Sequence, residues 1–116
     1  MQFMALIYSA DGAEQNYPGG PEKMMADYYA YTEEVKKAGV MVAGDALQPT
    51  STATSIRERD GKASLTDGPF AETKEQLGGY YLLECKDLDE AIKWAGKIPT
   101  AKYGTIEVRP VMIWDQ

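Results

Sequence analysis

Hydrophobic residues fill both odd and even positions of the opening stretch QFMALIY, residues 2–8. A strand with one wet face alternates apolar and polar side chains, so this run predicts a strand covered on both sides. Residues 9–21, SADGAEQNYPGGP, are punctuated by Asp11-Gly12, Pro18 and Gly19-Gly20 and read as a loop. Over 22–38 Met25, Tyr28, Tyr31 with Thr32, Val35 and Ala38 recur at helical spacing, with Lys36-Lys37 in the last turn and Gly39 as a stop. That predicts a first helix. Residues 40–47 follow as a strand, interrupted by Gly44 and closed by Pro49. Within 52–66 Asp60-Gly61 separates two strand-like runs, the signal of a two-residue hairpin; its polar character places it at the periphery. Residues 78–85, GGYYLLEC, are another strand. Over 86–99 Asp87 and Glu90 form a capping box, Leu88, Ala91 with Ile92, Ala95 and Ile98 make an apolar stripe, and Pro99 ends the second helix. The final strand, 104–114, carries Ile106, Val108, Pro110 and Met112 on one parity and Glu107, Arg109, Val111 and Ile113 on the other.

With the hairpin set aside the order is βαββαβ. This is an α+β chain of the ferredoxin-like, split-βαβ type, an antiparallel four-stranded sheet with both helices on one face. The first strand is apolar on the second face as well, so something must cover that face. A second copy of the same sheet does so most economically, which predicts a homodimer of stacked sheets. The alternative is a six-stranded sheet that curls over itself.

The 116 residues fit a single domain, 1–116, long enough to bury a core without disulfides or metals. A formal charge of −6 and a pI near 4.6 argue against direct binding to nucleic acid or an anionic membrane. No apolar run is long enough to span a bilayer, and a cytoplasmic location is expected. Cys85 is the only cysteine, so no internal disulfide forms, and histidine is absent. The usual neutral-pH base and the commonest metal ligand are thereby removed. Chemistry must run on carboxylates, tyrosines, lysines and arginines; no metal and no cofactor are implied.

Two places concentrate such groups. If Ile106 and Val108 face the helices, Glu107 and Arg109 point between the two sheets, either as a structural ion pair or as a clamp on a polar ligand. Asp67-Gly68-Pro69-Phe70 is fully explained as a turn in which Asp67 accepts amide hydrogens and Gly68 adopts a conformation other residues resist. Its sequel is less ordinary: an acidic segment leads to Gly78-Gly79, whose paired glycines point to close approach of a backbone or ligand, and then to Tyr80-Tyr81. Asp67 is therefore the candidate catalytic residue, with Tyr80, Glu107, Arg109, Gly68 and Phe70 as candidate binding residues. Tyr28 and Tyr31, Trp94 and Trp114 read as packing, Cys85 as a small buried hydrophobe, and Asp45 as a strand-end acid at the margin of the pocket and only a minor candidate for it.

The run LTDGPFAETKEQLGGYYLLECKDLDEAIKWAGKIP, followed by GTIEVRPV and preceded by MQFMALIY and VAGDALQP, resembles the DGPF group of YCII-related proteins over essentially the whole chain. The resemblance implies a dimeric α+β barrel of ferredoxin type, a cytoplasmic bacterial protein and a cleft suggestive of an active site. It also implies an extracytoplasmic-function sigma factor as a partner, since such proteins are often encoded beside or joined to one. Other YCII-related proteins pair a histidine with the aspartate that Asp67 matches; here the histidine is missing. Two functions follow. One is a dimeric module that binds or senses a small molecule. The other is a small-molecule enzyme of lyase or hydrolase type in which Asp67 exchanges protons and Arg109 and Tyr80 hold the substrate.

Overall fold

The computed structural model describes residues 1–114; the last two residues of the expected domain lie outside it. Six strands and two helices follow in the order β1 (Gln2–Ser9), α1 (Gly20–Lys37), β2 (Met41–Ala46), β3 (Thr54–Arg59), β4 (Lys62–Asp67), β5 (Gln76–Glu84), α2 (Leu88–Ala95) and β6 (Thr105–Pro110), with short 3₁₀ turns between them. Strands β2-β5-β1-β6 form one antiparallel sheet, and β3 and β4 pair only with each other. This is the ferredoxin-like α+β arrangement. The hairpin does not join the sheet, so no six-stranded sheet forms.

The period-2 geometry of β1 sorts its side chains cleanly. Phe3, Ala5 and Ile7 are buried beneath the helices with Tyr81 and Leu83 of β5, Tyr31 and Val35 of α1, and Ala91 and Ala95 of α2. Phe3, Leu83, Val35 and Ile98 are almost wholly sequestered. Two polar pins cross this layer: Tyr31 donates to the Trp94 carbonyl at 3.0 Å, and Thr32 and Tyr81 share a hydrogen bond of 2.7 Å. Cys85 lies in the same core, where burial pushes its thiol above the ordinary value, as suits a small hydrophobe rather than a nucleophile.

Several sequence expectations are corrected. The inward stripe of α1 runs Met24, Tyr28, Tyr31, Val35, and Met25, one residue round the helix, is exposed, as is Ala38. In α2 the alanines face the sheet, and Leu88 and Ile92 stand half in solvent. The helix ends at Ala95, and Pro99 opens a 3₁₀ turn (Pro99–Lys102) instead of closing the helix. The capping box is half realised: Asp87 accepts from the Glu90 amide at 2.9 Å, while Glu90 reaches one residue further back, to the Lys86 amide at 2.8 Å. Strand β6 stops at Pro110 because Pro110 already pairs with Phe3, and β1 offers almost no partner beyond that point.

Asp60 (φ 53°) and Gly61 (φ 75°) turn the hairpin in the left-handed region, as a two-residue loop demands. The hairpin overhangs the body. The radius of gyration is 16.2 Å and the extents are 47 × 44 × 18 Å, whereas a compact chain of this length has a radius of about 13 Å. The molecule is broad in two directions and thin in the third.

Candidate functional site

The helices cover one face of the sheet and leave the other open. Strand register writes that open face as rows. Asp45 of β2 lies beside Tyr80 of β5, Tyr80 beside Leu6 of β1, and Leu6 beside Glu107 of β6. The next row is Ala43, Leu82, Met4 and Arg109. Tyr8, beside Thr105 and Leu77, forms a third. The centre is thus apolar, Met4, Leu6 and Leu82, and the polar groups stand toward the two edges.

At the β2 edge the Tyr80 hydroxyl donates to Asp45 Oδ2 at 2.7 Å. Accepting that hydrogen, the Asp45 carboxylate raises the Tyr80 phenol above its ordinary value, because ionisation would set two negative charges side by side. The pair is an acceptor-rich station able to receive a ligand's hydroxyl or amine. Asp45 was only a marginal candidate in the sequence, and the reason is geometric. A bulge at Val42 shifts the register between Met41 and Ala43, so Met41 faces the core and Asp45, of the same parity, faces out. Gly44 takes the inward place, where a Cβ would lie 2.9 Å from the Tyr81 ring. Gly79 answers the paired-glycine signal: a Cβ there would lie 2.9 Å from the Asp45 carbonyl oxygen, so the close approach is that of β2 itself.

At the β6 edge Glu107 and Arg109 are exposed on the open face, as expected, but form no ion pair among the described residues. Residues two apart on a strand stand about 6.6 Å apart, within reach of such long side chains, but an exposed pair gains little over solvation and side-chain freedom by closing. Nearby, Thr105 donates to Glu75 at 2.7 Å, tying the acidic segment to β6.

Asp67 sits elsewhere, at the base of the hairpin opposite Thr54, and is exposed. Its turn is only partly as expected: Gly68 has φ 97°, its amide donates to the Ala53 carbonyl at 2.7 Å and Ser55 donates to the Gly68 carbonyl at 2.8 Å, but among the described residues the Asp67 side chain accepts no amide hydrogen, because the backbone carbonyl of Ala53 takes the turn's amide instead. Phe70 is 78% exposed. Among the described residues, no hydrogen bond or ion pair joins the Asp67 side chain to Tyr80, Glu107 or Arg109. Within one chain, then, Tyr80, Glu107 and Arg109 share a face and Asp67, Gly68 and Phe70 lie on a separate arm. Two shallow hollows are lined by none of these six, one along α1 by Ala30 and Glu33, the other between α2 and β6 by Leu88 and Ile92.

A thin slab with an antiparallel sheet, both helices on one side and an open apolar face defines a ferredoxin-like α+β protein. The chain belongs to the YCII-related family, whose domain model matches residues 1–115. It is 40% identical, over 95 residues, to an uncharacterised protein of Rhizobium meliloti (strain 1021), an alignment covering 80% of this chain and 77% of that protein. Its fold is similar to that of 5-chloro-2-hydroxyhydroquinone dehydrochlorinase (TftG) from Burkholderia phenoliruptrix AC1100, solved with 2,5-dihydroxybenzoquinone, at a TM-score of 0.57 and 16% identity over 97% of this chain and 94% of that one. No helix among the described residues is long and apolar enough to cross a membrane.

Proposed function

We propose that this YCII-related protein is a homodimer whose open sheet faces stack on each other and enclose a small-molecule site. The observation that carries this reading is the open face itself. Met4, Leu6, Tyr8 and Leu82 are only half-buried in one chain, and apolar area of this kind is stabilised by cover, at about 25 cal/mol per Å². The face is not uniformly apolar. Tyr80 with Asp45 at one edge, and Glu107 with Arg109 at the other, give an enclosed ligand both acceptors and a cation, and the aliphatic floor suits a flat, partly polar molecule. The protein acts as a cytoplasmic binding or sensing module, and its partner, as the family resemblance implies, is an extracytoplasmic-function sigma factor.

A second reading rests on Asp67, an exposed carboxylate with no hydrogen-bonded partner among the described residues. In the enzyme version it accepts a proton from a substrate held by Arg109 and Tyr80. The fold neighbour's bound 2,5-dihydroxybenzoquinone suggests hydroxylated rings as the first compounds to try.

Thermal-shift screening of a small-molecule library, hydroxylated aromatics included, tests both. Binding in the inter-sheet site raises Tm for the wild type and loses most of that gain in Arg109→Gln and Tyr80→Phe. Equal shifts in all three proteins refute the site. Turnover of a hit by the wild type and not by Asp67→Asn selects the enzyme version.

A further inference from the structure

The hairpin is the least explained part of the fold. Two strands alone are marginal in water, and this pair carries an apolar face with nothing over it. Pairing of Thr54 with Asp67, Ile56 with Leu65 and Glu58 with Ala63 places these six on one side. Ile56 is 69% and Leu65 70% exposed, and Phe70 follows in the same state. The other side, Arg57, Arg59 and Lys62 with Ser55, Ser64 and Thr66, is polar and cationic. The hairpin is therefore amphipathic, and it carries Asp67 on its apolar side.

Its own sheet does not receive that side. The hairpin forms a separate ladder, and Ile56 and Leu65 stay exposed, so nothing in the described residues of its own chain covers that side. The occupant is a second copy of the chain, for two reasons. The first is area. Four strands of about six residues make a face of roughly 19 by 20 Å in projection, a small platform beside the interfaces that hold stable dimers. The hairpin's exposed Ile56, Leu65 and Phe70 add apolar area to it. The second is charge. Asp67 and Arg109 are both exposed, neither has an ion-pair partner among the described residues, and they are opposite in sign.

We propose that Asp67 works in trans: the hairpin of each copy lies along the rim of the other copy's open face, and Asp67 pairs there with the partner subunit's Arg109. This rests on the dimer reading above and deepens it, because each inter-sheet site is then incomplete without the second chain. Ile56, Leu65 and Phe70 are the apolar seat of the arm, and the DGPF turn aims it. A pocket floored by Leu6, Tyr80 and Asp45 of one chain gains its fourth wall from the other.

Charge exchange tests this without a known ligand. In sedimentation velocity, Asp67→Arg and Arg109→Asp should each weaken dimerisation by at least about a hundredfold, because like charges meet at two symmetric contacts. An equimolar mixture of the two variants should dimerise nearly as well as wild type, as heterodimers with both contacts of opposite sign. Both positions are exposed, so circular dichroism should be unchanged, and the milder Asp67→Asn and Arg109→Gln should weaken dimers less, with only partial recovery on mixing because the heterodimer keeps one of the two Asp67–Arg109 contacts. Variants that dimerise like wild type, or a mixture no tighter than its components, would overturn trans pairing while leaving the stacked dimer standing. Wild type that remains a single copy at every concentration would remove the dimer reading and the trans contact together.

Discussion

Leu6→Asp isolates the open face. Leu6 lies at its centre, in register with Tyr80 on one side and Glu107 on the other, and with Met4 and Tyr8 as neighbours along β1. In a lone chain the position is half-buried and turned away from the core, so the substitution should cost no more than about 1 kcal/mol of fold stability. In a stacked dimer it acts at two symmetric places. Each loses the burial of a leucine, about 2 kcal/mol, and gains a carboxylate with no partner, whose desolvation costs several kcal/mol more. The apolar loss alone, roughly 4 kcal/mol per dimer, weakens the dissociation constant about a thousandfold. Sedimentation velocity over a dilution series reads the constant, and a circular-dichroism melt of the dilute variant confirms the fold. An unchanged dissociation constant with the fold intact would refute the idea that this face is covered by its own copy.

Other outcomes follow from the packing. Leu83→Ala, at a site with 0% exposure, should cost about 2–5 kcal/mol and lower Tm by roughly 8–20 °C in a thermal melt. Gly79→Ala drives a methyl against the Asp45 carbonyl oxygen, 2.9 Å away, whereas Gly78 has open space where its Cβ would go; the first should destabilise by about 1–3 kcal/mol in urea and the second by well under that. Alkaline unfolding has a set sign. The hydrogen bond to Asp27, at 2.5 Å, and burial push Tyr17 up to about 12, and burial pushes Tyr28 up to about 12. Raised phenol values mean stability fully present below about pH 10, the unfolded value, and lost as pH climbs through 12. Tm measured from pH 9 upward should fall in that window, and Tyr17→Phe with Tyr28→Phe should flatten the fall.

How legible was all this in the chain alone? The helix-facing side of β1, the hairpin with its Asp60-Gly61 turn and the Asp87 cap came from rules acting over a few residues: alternation, positive φ, an orphan amide satisfied three residues away. Such rules need no knowledge of distant neighbours. The apolar character of the open face was legible too, because β1 carries apolar residues on both parities. Asp45 was not, since a single extra residue at Val42 reverses which side of β2 each later side chain takes, and no local preference announces a bulge. The inward stripe of α1 slipped from Met25 to Met24 for a related reason: Tyr103 approaches from 79 residues away, its hydroxyl 3.1 Å from Met24 Sδ, and long-range packing chooses among near-equivalent helical stripes.

Covalent order and local backbone preference thus determined the elements, their sequence along the chain and the apolar second face of β1. The tertiary structure decided what those elements share: Tyr80 reaching Asp45 from a neighbouring strand, Glu107 and Arg109 left apart, and Asp67 carried off on an arm away from all of them. Local rules are sums over adjacent residues, and periodicity reports them well. Which side chains meet depends on register and on bulges across strands far apart in sequence, and only the folded chain settles those.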